Sequence, residues 1–141
     1  MTIIESLYHY LDACPLLQDG MLYVDYLGPD PVSYVIDVEP ATAIVKRYAN
    51  GDTVRQYLFT LGTRDYYSQD VMERIDSSGF FEEFSDWLDA QNIHGNLPQL
   101  PEGKEVQSIG TLSTGYLYDE ETNTARYQIQ CGLTYYQKRS I

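Results

Sequence analysis

Between Ala125 and Tyr136 the chain alternates without a break. Ala125, Tyr127, Ile129, Cys131, Leu133 and Tyr135 make an apolar and aromatic series, and Arg126, Gln128, Gln130, Gly132 and Thr134 fill the places between them. Successive side chains of a strand point to opposite sides of the pleat, so this pattern predicts a strand with one buried face. At ~3.3 Å per residue it would span roughly 40 Å, well above the usual strand length. A strand of that kind needs neighbours beside it and a layer over its apolar side.

The earlier segments supply both. Thr2-Ile-Ile-Glu5 has the form of a helix-capping box, and Ile3, Ile4, Leu7, Tyr8 and Leu11 follow helical spacing until Pro15 stops the helix near Cys14. After the Asp19-Gly20 turn, residues 21–27 read as a strand, and Gly28-Pro-Asp-Pro31 breaks the chain. Val32, Tyr34, Ile36 and Val38 alternate with polar residues up to Pro40, predicting a second strand. Residues 43–49 and 53–61 flank Asn50-Gly51 and read as a hairpin, with Arg55, Tyr57, Phe59 and Leu61 on one face of its second arm.

From Ser68 the period lengthens to that of a helix. Val71, Met72 and Ile75 fit one helical-turn pattern, and Phe80, Phe84, Trp87, Leu88 and Gln91 fit a second. Ser68 or Asp70 is placed to cap this helix, Trp87 to anchor it on the sheet, and Glu82, Glu83, Asp86 and Asp89 to line its wet side. Gly79, after two serines, predicts a kink or a break, because glycine costs about 1 kcal/mol in a helix interior. Residues 92–105, with two prolines and two glycines, predict a long loop. Residues 106–118 return as a strand, Asp119 to Thr124 form an acidic hairpin tip, and residues 137–141 are expected to fray. The predicted fold is α+β: one domain over 1–141, a mainly antiparallel twisted sheet, and helices over about 3–13 and 69–91 packed on one face.

Composition narrows the functions open to such a fold. Twenty-one acidic against nine basic side chains give a formal charge of −12, which repels nucleic-acid phosphates. No apolar run is long enough to span a bilayer, so a soluble protein made in the cytoplasm, with no membrane partner, is expected. Cys14 and Cys131 are expected to be free buried thiols. His9 and His94 are too isolated for a metal site, and no nucleophile elbow, phosphate loop or dinucleotide fingerprint occurs. No cofactor, metal or catalytic constellation is therefore expected. A tyrosine-lined ligand pocket on the sheet remains open as a non-enzymatic alternative. Fourteen tyrosines suit half-buried sheet faces and contact surfaces alike. Lys46, Arg47 and Arg55 gather three of the nine basic residues on one ribbon, which reads either as a solvated face or as a docking surface for an acidic partner or a phosphate backbone.

Several stretches together resemble a known family. Residues 79–92 (GFFEEFSDWLDAQN), Leu97-Pro-Gln-Leu-Pro101, Gly115-Tyr-Leu-Tyr118 and Ala125-Arg-Tyr-Gln-Ile-Gln130 are similar to the phage minor capsid family of siphophages and prophages of Gram-positive bacteria, itself similar in layout to tail-terminator proteins. The order of elements over residues 1–66 fits as well. The resemblance implies a tail-terminator-like subunit, found in the tail or neck of the virion. It would form a homo-oligomeric ring, with a hexamer the expected stoichiometry, at the head-proximal end of the tail. There it would meet the tail tube protein and head connector proteins, end tube polymerisation and support head joining. Genomic DNA would pass through without binding tightly, which the acidic charge favours. Asp119, Glu120 and Glu121 are the candidate channel-wall or tube contact, beside the candidate contacts Lys46, Arg47 and Arg55. A head-completion or connector protein of the neck is the alternative within the same class.

Overall fold

The alternating stretch becomes the middle of the sheet. A computed structural model describes residues 2–27, 32–66, 71–120 and 124–139. The elements in order are helix α1 (Ile3–Asp12), a 3-10 turn (Pro15–Leu17), strands β1 (Met21–Val24), β2 (Ser33–Glu39), β3 (Ile44–Arg47) and β4 (Thr53–Tyr66), helix α2 (Val71–His94), and strands β5 (Lys104–Thr111), β6 (Tyr116–Glu120) and β7 (Thr124–Gln137). Strands β4 and β7, of 14 residues each, pair antiparallel along their whole length, from Thr53 opposite Gln137 to Tyr66 opposite Thr124. At ~3.4 Å per residue this central ribbon is about 45 Å long.

Each central strand carries an interrupted neighbour on its outer side. Strand β2 pairs with Leu58–Arg64 of β4, and β3 continues along the same edge opposite Thr53–Arg55. Gln56 bridges the gap, its N–H donating to Ala43 O and its side-chain amide to Thr42 O at 2.8 Å each. On β7, β5 and β6 likewise share one edge. The predicted single strand over 106–118 is thus two strands joined by residues 112–115, where Leu112 N donates to Gln130 O and Gln130 N to Ser113 Oγ. Strand β1 pairs with β2 in parallel. The sheet is mixed and mostly antiparallel, and with its two helices the chain is an α+β fold.

The two faces differ as the alternation requires. Ala125, Tyr127, Ile129, Cys131, Leu133 and Tyr135 are all buried, against Phe59 and Leu61 of β4 and Ile36 and Tyr34 of β2. Both helices close this side: α1 with the 3-10 turn contributes Leu7, Leu11 and Leu17, and α2 contributes Phe81, Phe84 and Leu88. Thr2 caps α1 as predicted, its Oγ1 accepting from Glu5 N at 3.2 Å. Trp87 packs against the rim of the core. It is half-buried and packs on Tyr10 of α1 and on Phe84, so it also ties helix to helix, and Phe81, Phe84 and Leu88 are the buried anchors beside it. Glu82, Glu83, Asp86 and Asp89 are exposed, as their spacing demands.

Three further expectations change. Helix α2 runs unbroken through Gly79, so the break expected there does not occur. The helix also reaches His94, which shortens the loop before β5. The residues after β7 do not fray at once: Lys138 N donates to Gly103 O at 2.8 Å and Arg139 N to Asp52 Oδ1 at 2.7 Å. Strand β1 stops at Val24 because Asp25 takes a left-handed φ of 57°. The Gly28–Pro31 break, the Ser68 and Asp70 caps and most of the acidic hairpin tip lie outside the described residues.

Candidate assembly surfaces

The six residues singled out from sequence fall at opposite ends of the ribbon. Asp119 and Glu120 pair with Arg126 and Ala125 near the start of β7, whereas Arg55 stands opposite Tyr135 near its end. Nine residues of strand separate the two levels, about 30 Å. The acidic tip and the basic ribbon are therefore separate surfaces. Glu121 lies outside the described residues.

The basic ribbon is also divided between two faces. Register places Arg47 beside Thr53 and, with Arg55, on the helix-covered side, and Lys46 beside Val54 on the open side. Arg55 Nε donates to Thr53 Oγ1 at 3.1 Å, and its charge faces the half-buried Tyr135 hydroxyl. The Lys46 ammonium stands 5.0 Å over the ring of Tyr48. These contacts account for two of the three cations as parts of a local scaffold.

What fixes that scaffold is Asp52, which the sequence reading passed over. The hairpin loop closes with Gly51 at φ 95°, Tyr48 N donating to Asp52 O, and Asp52 N to Asn50 Oδ1 at 3.0 Å. The Asp52 carboxylate then accepts from the Tyr136 hydroxyl and from Arg139 N, and these bonds hold its pKa below the usual carboxylate value. The same bond raises the Tyr136 phenol. The signal was present in Asn-Gly-Asp, a turn tripeptide with a spare carboxylate.

The open face is polar and tiled by its own long side chains. Arg126 Nη2 meets Asp37 Oδ2 at 2.5 Å, and its guanidinium lies 4.9 Å from the centre of the exposed Tyr118 ring. Gln128, buried, donates to the Tyr116 hydroxyl at 2.7 Å. A depression of about 190 Å³ lies where Gly110 stands opposite Gly132, rimmed by Leu58 and Leu112. A second, of about 300 Å³, lies by Leu97, Pro98 and Leu100. Neither is lined by tyrosine, and both sit at or below the lower end of small-molecule sites.

Three further titratable groups are held by the fold. Burial raises the Cys131 thiol to about 12 and raises Cys14 as well, so both stay protonated at neutral pH. Tyr10 is pushed to about 12 by burial while its hydroxyl donates to Asn96 O at 2.8 Å. Among the described residues no cluster of three or more histidine, cysteine or acidic side chains could hold a metal ion. Among them, too, no helix is long and apolar enough to cross a membrane.

Asn92, at the end of α2, clamps the outer edge of β5. Its Oδ1 accepts from Ile109 N at 3.0 Å, and its Nδ2 donates to Ile109 O and to Leu88 O. About two turns upstream, Ser85 Oγ meets Thr111 Oγ1 at 2.7 Å. Helix α2 thus covers that edge at Ile109 and Thr111 with side chains, a role that nothing in the local sequence pattern marked.

In comparison with known proteins, the sequence matches no protein-family model and no curated protein.

Proposed function

We propose that this chain is a non-enzymatic structural subunit of a phage or prophage virion, acting as a tail terminator. Copies form a ring at the head-proximal end of the tail, with a hexamer expected, end growth of the tail tube and receive the head connector proteins. The observation that carries this reading is the central ribbon. Fourteen paired residues on each of two strands make a stiff plate about 45 Å long, braced on one side by helices. Its two thiols, Cys14 and Cys131, are buried in the packing. Ring contacts are heterologous, so a subunit must present two different surfaces, and this sheet ends in two different strand edges, β1 on one side and β5 with β6 on the other. The net charge of −12 favours passage of DNA over adhesion.

The test is electron microscopy of particles made with this gene disrupted. DNA-filled heads detached from tails of irregular, excessive length are expected. Tails of normal length beside unjoined heads would instead assign the subunit to the connector side of the neck. Intact infectious particles would overturn the assembly reading.

A further inference from the structure

A sheet binds another chain most directly through a strand edge, where N–H and C=O groups have no partner in their own subunit. This sheet ends in β1 on one side and in β5 continued by β6 on the other. On the β5 part, Asn92 takes both backbone groups of Ile109 and Ser85 meets the Thr111 hydroxyl. No other strand pairs with the outer edge of β1 or β6 among the described residues. Both edges also expose apolar side chains: Met21 at 65% and Val24 at 37% on β1, Leu117 at 42% and Tyr118 at 59% on β6.

The register places these two edges at one height. Across the sheet, Met21 lies beside Ser33, then Arg64, Arg126 and Asp119. Tyr23 lies in the row of Val35, Gly62, Gln128 and Tyr116. Direction follows from the same pairings. Strand β6 opposes β7, β7 opposes β4, β4 opposes β2, and β2 runs with β1, so β6 and β1 run in opposite senses. Copies set side by side in one orientation therefore offer β6 of one to β1 of the next as an antiparallel pair. No slide along the strands is needed. A contact repeated by rotation alone closes a ring, whereas one that needs a slide builds a filament.

We propose that neighbouring subunits join by antiparallel pairing of β6 with β1 of the next copy, Asp119 level with Met21 and Tyr116 level with Tyr23, the extra residue of β6 standing at its bulge between Leu117 and Asp119. One sheet then runs around the whole assembly. This rests on the ring reading above and names the contact that makes the ring. The paired edges are only four and five residues long, which makes a small interface. A single contact is thus weak, and closure, which gives every copy two contacts, makes the ring stable. The like charge of −12 per copy opposes association, so added salt strengthens it.

The experiment uses the full chain carrying Met21→Cys and Asp119→Cys, oxidised over a range of protein and salt concentrations and read by non-reducing electrophoresis and native mass spectrometry. Directly opposed strand residues stand about 4.5–5.5 Å apart at Cα, within disulfide range. A covalent ladder ending in one ring-sized species is expected, with neither single variant extending beyond a dimer. Met21→Lys and Leu117→Lys, both at exposed positions, are expected to keep the fold and to weaken association at least tenfold. Rings that form without this cross-link and ignore both lysines overturn the pairing but leave the ring reading standing. Monomers under every condition also overturn the pairing, and the ring reading then stands or falls by the particle phenotype.

Discussion

Replacing Asn92 with alanine tests whether a side-chain amide can finish a sheet. In the native protein this amide takes both backbone groups of Ile109, a residue whose side chain is 1% exposed, and also donates to Leu88 O. Alanine leaves an N–H and a C=O at that edge without partners, each costing roughly 1–2 kcal/mol where water reaches poorly. Alanine also favours the helix over asparagine by about 0.6 kcal/mol, which offsets part of the loss. The net expectation is a destabilisation of about 2–3 kcal/mol, or a fall in Tm of roughly 6–12 °C for a chain of this size. Urea unfolding measures the first figure, and hydrogen exchange at the Ile109 amide reads the clamp itself. Asp89→Ala, on the exposed face of the same helix, should stay within about 0.5 kcal/mol of the parent. A loss below about 0.5 kcal/mol for Asn92→Ala, or an Ile109 amide that exchanges no faster, would refute the clamp.

Two glycines predict opposite outcomes. Gly79→Ala should stabilise the protein by about 0.5–1 kcal/mol in urea unfolding, since the site is open and lies inside a helix; destabilisation would reveal a bend that the alanine cannot follow. Gly115→Ala should destabilise by about 1–3 kcal/mol, because its β-carbon would fall against the Phe81 ring that anchors α2. The Asp52 latch should depend on pH with a defined sign. Its folded pKa is lowered, so its contribution is present above the unfolded value near 3.8 and is lost as pH falls through the folded one. The Arg139 amide resonance should therefore move in acid in the parent but not in Asp52→Asn, and identical titrations would exclude the latch. Both thiols should resist a disulfide reagent at pH 8 until the protein unfolds; rapid labelling of native Cys131 would contradict its raised pKa of about 12.

The elements that could be read from sequence are those in which one face is buried and the other wet. Strand β7 is the clearest case, and Thr2, Pro15, Pro40 and Asn50-Gly51 marked their boundaries for local reasons of capping, missing donors and turn geometry. The second half of β4 escaped because Gly62, Thr63, Arg64 and Asp65 carry no apolar series; their strand state comes from 14 pairings with β7, a long-range cause. The parallel placement of β1 is equally non-local. Gly79 misled because an intrinsic preference of about 1 kcal/mol is small beside the packing of Phe81, Phe84 and Leu88. Among the candidate contacts, adjacency on one ribbon was legible for Lys46, Arg47 and Arg55, but not the pleat that sends Lys46 to the other face. Asn92 looked like the start of a loop, since only the folded sheet brings Ile109 to it.

The long ribbon also sets an order of events. Strands β4 and β7 are separated in the chain by residues 67–123, so their pairing closes one of the largest loops in the molecule and is expected late. Until then β4 presents a free edge of 14 residues beside an incomplete core. That edge is longer and more adhesive than β1 or β6, and β7 of any other copy matches it as well as its own does. Folding and self-association therefore compete for the same backbone groups. Dilute or slowly delivered chains fill the edge from within and keep only their short rims for neighbours, whereas crowded, half-folded chains exchange β7 and become entangled. In this protein the time at which β7 arrives separates an ordered assembly from a swapped one.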